Sequence, residues 1–199
     1  MKLILTRHGE TEENIAEIMQ GHLPGKLSEK GKTQAKKLAQ RLKDEKIDAI
    51  YCSNLARAVD SAKEIIVFHK NIPLRLVKEL RERNHGEFEG KKRSQLTEKD
   101  VSQFRSITEA PKNGESWLQV YERAQMFLDK LLHKYKNQTV LLVSHGGLVR
   151  TLICVIKNQP PDEIFNIDKI INTGITIFEI DEDKNHKIQL FNCAKHLAD

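Results

Sequence analysis

The chain has 199 residues, of which 39% are apolar and 31% charged, with a formal net charge of +5. That composition suits one soluble globular domain with a sizeable core; it is wrong for a disordered chain and short for two domains. No apolar run approaches membrane-spanning length, and the scattered lysines read as solvated helix faces rather than a nucleic-acid surface.

The three cysteines, Cys52, Cys154 and Cys193, are odd in number, with no C-x-x-C pair. Neither a disulfide framework nor a zinc site is expected, and a reducing cytosol is the simplest compartment. The apolar run near the N-terminus is too short for a secretory signal.

In chain order, Leu3-Ile4-Leu5 reads as a buried strand that ends abruptly at Arg7-His8-Gly9. Pro24-Gly25 marks a loop. Ser28 reads as an N-cap, and Ala35, Leu38, Ala39 and Leu42 share one face of the helix behind it. Ile47 to Tyr51 predicts a second strand, ending at Cys52-Ser53, with a helix whose inner face carries Leu55, Ala58, Val59, Ala62 and Ile66. Leu74 to Leu80 reads as extended. Residues 91–113 are polar and irregular, with a short helix expected around Val101 to Ile107. Trp117, Val120, Tyr121, Ala124, Leu128 and Leu131 form a strong helical stripe. Thr139 to Val143 is a third buried strand, ending at Ser144-His145-Gly146-Gly147, and a helix follows from about Leu148 to Ile156. Ile175 to Ile180 and Lys187 to Phe191 alternate around Asp181 to Asn185, which predicts a hairpin. Strands alternating with helices, with no repeat or linker, predict one α/β domain over 1–199. An edge strand near the C-terminus leaves a homodimer open.

Three strand ends carry the chemistry. The first delivers Arg7 and His8, the second Ser53 with Arg57 a turn further on, the third His145. Parallel strands bring such ends to one edge of the sheet, where ligands bind in open α/β folds. Two arginines and two histidines at one point suit a phosphoryl group. A neutral imidazole can attack phosphorus, and the arginines would hold His8 neutral. Arginines and an imidazolium can take the place of a metal in stabilising the transferring group; no metal or other cofactor is implied. Glu82 is the candidate general acid, with a pKa expected to be raised by partial burial. Glu87 and Glu89 rival it on composition alone. The bland readings are a core histidine for His8, a strand-to-helix turn at His145-Gly146-Gly147, and a solvated loop carboxylate for Glu82. Glu115 reads as support for a helix N-terminus, Lys91-Lys92-Arg93 as a solvated charge run, Trp117 as core, and His22, His69, His133, His186 and His196 as surface residues.

Taken in order, Arg7-His8-Gly9-x-Thr11-x-x-Asn14, Leu27-Ser28-x-x-Gly31, Ser53-x-Leu55-x-Arg57-Ala58, Glu82 with Glu89-Gly90, Pro111-x-x-Gly114-Glu115-Ser116 and Val143-Ser144-His145-Gly146-Gly147 resemble the histidine phosphatase superfamily, in its phosphoglycerate-mutase-like branch. The resemblance implies a three-layer α/β/α sandwich with a mostly parallel central sheet and a C-terminal hairpin or edge strand. It implies a metal-independent phosphatase acting on a small phosphorylated metabolite, with His8 as the phosphorylated nucleophile. Arg7, Arg57 and His145 would hold the phosphate and Glu82 would be the proton donor. Asn14, Gln20, Gly21, Arg83 and the backbone of Gly146 would be lesser substrate contacts. Two departures stand out: Val59-Asp60-Ser61-Ala62, where little catalytic effect is expected, and His85, where mutases carry an aromatic residue. The cap-like insertion at about 83–113 is short. A thin cover admits water to a phosphohistidine and favours hydrolysis over transfer. The alternatives are a cofactor-dependent phosphoglycerate mutase and a non-catalytic phosphate-binding regulatory protein.

Overall fold

Apolar side chains of the central strands alternate between two helical layers, as a pleated strand buried on both faces requires. In the computed structural model, which describes residues 1–198, Leu3 and Leu5 join one core and Ile4 the other. The strands are β1 (Lys2–Arg7), β2 (Ala49–Ser53), β3 (Leu74–Val77), β4 (Thr139–Ser144), β5 (Ile175–Ile180) and β6 (His186–Cys193). They form one sheet in the order β3-β2-β4-β1-β5-β6. The pairs β1–β4, β2–β4 and β2–β3 are parallel, whereas β5 runs antiparallel to β1 and to β6. This is the expected α/β/α sandwich with a mostly parallel sheet and a C-terminal hairpin.

Helices α2 (Glu29–Leu42) and α3 (Ala56–Ile66) cover one face through Leu38, Leu42, Ala58, Ala62 and Ile65. Helices α5 (Trp117–Lys134) and α6 (Gly146–Ile156) cover the other through Val120, Ala124, Leu128, Leu148 and Leu152. The short α1 (Glu12–Ile15), which the apolar pattern does not announce, is a capping box: Thr11 Oγ1 accepts from the Asn14 amide, and Asn14 Oδ1 accepts from that of Thr11.

Three details differ from the sequence reading. The helix expected at 101–107 is α4 (Glu98–Arg105), because a Thr97–Asp100 capping box starts it earlier. The extended run after Pro73 ends at Val77, and Lys78–Leu80 is a 3₁₀ turn. The most buried face of α3 runs Arg57, Ala58, Ser61, Ala62 and Ile65, with Val59 and Ile66 packed at its margin, which turns Arg57 inward.

Register brings the reactive strand ends together. Arg7 is paired with Ser144 across β1–β4, and Cys52 with Val143 across β2–β4. His8, His145 and Ser53 therefore emerge side by side at the carboxyl edge of the sheet.

Candidate active site

His8 is buried, and its ring is fixed at one nitrogen. Nδ1 lies 2.7 Å from the Gly9 carbonyl, so it must carry the proton and donate it. That leaves the lone pair on Nε2. The bend after β1 needs Gly9, since a Cβ there would sit 2.4 Å from the Gly31 carbonyl oxygen. Ser61 holds the same bend, its Oγ accepting from the Gly9 amide at 3.0 Å. Ser61, in the 59–62 stretch where little catalytic effect is expected, thus touches the segment that aims the nucleophile.

Arg57 Nε lies 3.2 Å from His8 Nε2 and 3.2 Å from His145 Nδ1. One N–H is shared between two imidazole lone pairs. His145 Nε2 must then carry a proton, and it donates to Ser53 Oγ at 2.7 Å. The rings of His8 and His145 stand 5.1 Å apart. The outer nitrogens of Arg57 are tied to the carbonyls of Leu23, Pro24 and Gly21. Arg7 Nη1 donates to the Ile170 carbonyl at 2.7 Å, and its buried Nε has no partner among the described residues.

Burial first, then the Arg57 and Arg7 charges, push the His8 pKa well below the ordinary histidine range, against the Gly9 hydrogen bond. Burial, Arg57, His8 and Arg7 push His145 the same way. In the free site both imidazoles are neutral, so the imidazolium expected there is not the resting state. Burial lowers Arg7 and Arg57 to about 10, which leaves both charged at neutral pH.

Glu82 sits across the cleft. Its Oε1 accepts from the Arg83 amide at 2.9 Å and its Oε2 from the Gly147 amide at 2.9 Å. Burial raises its pKa, but the amides of Gly147 and Arg83 and the Arg57 charge favour the carboxylate, and the net shift is downward. The raised pKa expected from burial is therefore corrected: unliganded Glu82 is a carboxylate. Glu87 is exposed and accepts from the Lys112 amide, while Glu89 Oε1 accepts from the amides of His22 and His85. Both rivals are committed to backbone.

The acid loop is clamped from behind. Arg123 donates to the carbonyls of Glu79 and Glu82 and to both oxygens of Glu115, and Glu115 Oε2 accepts from the Asn84 amide. Glu115 thus braces the loop, while Ser116 caps α5. His22, read as a surface residue, lies 2.9 Å from the Glu82 carbonyl through Nε2. His69, also read as a surface residue, is buried, with Nε2 3.1 Å from the Leu42 carbonyl oxygen.

Arg7, Asn14, Glu82 and Gly146 line a cleft of about 540 Å³. Asn14 Oδ1 is also 3.5 Å from Arg7 Nη2. Gly21 presents its carbonyl to Arg57, and Gln20 is buried with Oε1 unpartnered among the described residues. Arg83 is fully buried behind the cleft. Its guanidinium lies 4.2 Å from the Phe104 ring centroid and 4.6 Å from that of Trp117, and its Nη1 donates to the Phe104 carbonyl. Trp117 is core and cation-stacked at once. Three cleft residues escaped the sequence reading: Arg150, Asn172 and Lys169. Arg150 follows Gly146 by four residues on α6, so it shares that face, a spacing legible in advance. Asn172 Nδ2 donates to the His8 carbonyl at 2.9 Å, and no local pattern signals it.

The chain belongs to the histidine phosphatase superfamily (branch 1), whose sequence model matches residues 3–193. It is 36% identical over 206 residues to phosphoserine phosphatase 1 of Hydrogenobacter thermophilus, covering all of this chain and 95% of that one. It is 34% identical over 186 residues to the 2,3-bisphosphoglycerate-dependent phosphoglycerate mutase of Bartonella henselae, covering 88% of this chain and 89% of that one. The solved structure of Bacillus stearothermophilus YhfR superposes with a TM-score of 0.90 at 30% identity, covering 99% of each chain. Family and relatives together support a phosphomonoesterase of the histidine phosphatase fold.

Proposed function

We propose that the chain hydrolyses small phosphomonoesters without a metal, through a phosphohistidine on His8. The observation that carries this reading is the fixed tautomer of His8, with Nδ1–H on the Gly9 carbonyl and the Nε2 lone pair facing Arg57 and His145. Attack by Nε2 forms the N–P bond and breaks the ester P–O bond. Arg7 and Arg57, with His145, Asn14 and the Gly146 backbone, hold the transferring oxygens. Glu82 gives its proton to the leaving alcohol oxygen. Its carboxylate then takes a proton from the water that attacks phosphohistidine, releasing inorganic phosphate and free His8.

Glu82 starts this cycle ionised. A bound phosphoryl group brings negative charge beside it and engages the arginines, and both effects raise the carboxyl pKa. The proton delivered to the leaving group is therefore taken up with the substrate.

Gln20, Gly21 and Arg83 act at one remove in this reading. Gly21 orients Arg57, and Arg83 anchors the cover through Phe104. Residues 1–199 work as one catalytic domain, with 83–113 as its cover. An odd number of cysteines with no C-x-x-C pair supports a reducing cytosol, and no nucleic acid or membrane enters the reaction. No helix among the described residues is long and apolar enough to cross a membrane.

The mutase alternative is kept by the Bartonella henselae relative and opposed by the short cover. Both readings are tested by following phosphate release and isomerisation of 3-phosphoglycerate in EDTA, with His8→Ala as control. Release of phosphate that survives EDTA and vanishes in His8→Ala is the expected result. Isomerisation much faster than release would make the chain a mutase.

A further inference from the structure

Beside the catalytic cleft lies a second pocket of about 560 Å³, in the size range that holds drug-sized ligands. The two cavities share Arg93, Phe104, Trp117 and Arg150 in their walls, so they adjoin. The outer one is built differently. The cleft wall includes the carboxylates Glu10, Glu13, Glu17 and Glu82, whereas the outer wall contains none among the described residues. It carries three arginines instead, Arg93, Arg105 and Arg150, set among the aromatic rings of Phe104, Trp117 and Phe165.

The arginines are short of partners. Arg93 and Arg105 are exposed, and their guanidinium groups have no ion pair or hydrogen bond among the described residues; Arg150 lies 3.5 Å from the Ile164 carbonyl and 5.9 Å from the Trp117 ring centroid. Burial lowers the Arg150 pKa, Glu82 opposes the shift and the neighbouring Arg93 charge adds to it, so like charges face each other here. Such an arrangement is relieved by an anion. Phe165 and Val101 are each 39% exposed at this pocket, which leaves apolar surface for a ligand to cover.

We propose that the outer pocket receives the alcohol part of the substrate, and that this alcohol carries a planar or apolar body together with a second anionic group, carboxylate or phosphate. The rings take the body and the arginines take the second charge, while the first phosphoryl group sits against His8. This rests on the phosphatase reading and narrows it: a three-carbon phosphoester leaves the outer pocket empty.

The test uses matched esters on the full chain. The first pair is 4-ethylphenyl phosphate and 3-(4-phosphonooxyphenyl)propanoate, which share a phenol leaving group and differ by a carboxylate. The second pair is adenosine 5′-phosphate and adenosine 3′,5′-bisphosphate, read by release from the 5′ position. The expected result is a kcat/KM ratio, charged over uncharged, of about tenfold or more in at least one pair. The pair that shows it identifies the second anion. In Arg105→Ala the ratio falls towards one; Arg105→Gln serves if the alanine variant does not fold. Val101→Trp, which fills the pocket, lowers kcat/KM for both adenosine esters by a larger factor than for phosphoserine. A ratio near one in the unmodified chain, or a ratio unmoved by loss of Arg105, overturns the proposal. Equal turnover of all four esters would do so while leaving the phosphatase reading intact. Turnover of none of them, nor of phosphoserine, would remove both.

Discussion

Acidification from pH 7 to pH 5 should destabilise this protein through three histidines held neutral in its interior. Burial leads the downward shift at His8 and His145, with neighbouring arginine charge adding to it. Burial likewise takes His85 down to about 3, although Glu82 opposes the shift. In the unfolded chain each histidine titrates near its ordinary value of about 6.5. Below that pH the unfolded state binds protons that the native state cannot, so stability falls as pH falls. The loss begins near the unfolded value and continues until pH reaches the depressed native values. Integrated from pH 7 to pH 5, one such histidine costs about 2 kcal/mol, and three cost roughly 6 kcal/mol. That is a large part of the stability of an ordinary domain, which is about 5–15 kcal/mol. Trp117 is the single tryptophan and is buried, so its fluorescence reports unfolding. Urea titrations at pH 7, 6 and 5 measure the effect. His85→Phe, which keeps a ring against Phe104, should remove about one third of the pH dependence. A loss below about 1 kcal/mol between pH 7 and pH 5 would refute the claim that these rings are buried and neutral.

Two further outcomes follow from the site. Glu82→Gln should lower kcat by about 10²–10⁴ for alkyl phosphates and by much less for 4-nitrophenyl phosphate, whose leaving group needs no proton; steady-state rates on the two esters decide it, and equal losses would deny Glu82 the role of acid. Gly147→Ala places a methyl 2.3 Å from Glu82 Oε1 and 3.0 Å from the Trp117 ring. It should displace the acid and cut kcat at least tenfold on alkyl esters while phosphate still binds, as competitive inhibition would show.

Much of the site was legible because its geometry follows from topology. Parallel strands with polar C-terminal ends had to bring His8, Ser53 and His145 together, and the helix after β2 had to return Arg57. Other features depend on distant partners. The direction of the Glu82 pKa shift is set in part by an amide at Gly147, 65 residues away. Arg83, read as a substrate contact, is held behind the cleft by a carbonyl on α4. The start of α4 is local but lies outside the apolar residues: the Thr97–Asp100 cap fixes the first turn ahead of Val101.

The place of β1 in the sheet also governs when the site can exist. The first strand of the chain lies between β4 and β5, and the Met1 amine donates to the Ile180 carbonyl at 2.6 Å. Neither edge of β1 can pair until β4 and β5, which begin at Thr139 and Ile175, are available to flank it. Arg7 and His8 are thus made early in synthesis and positioned late. Such long-range pairing slows folding and leaves an apolar strand open to misassembly in the interval. The central strand is therefore also the segment most dependent on protection while the chain is incomplete.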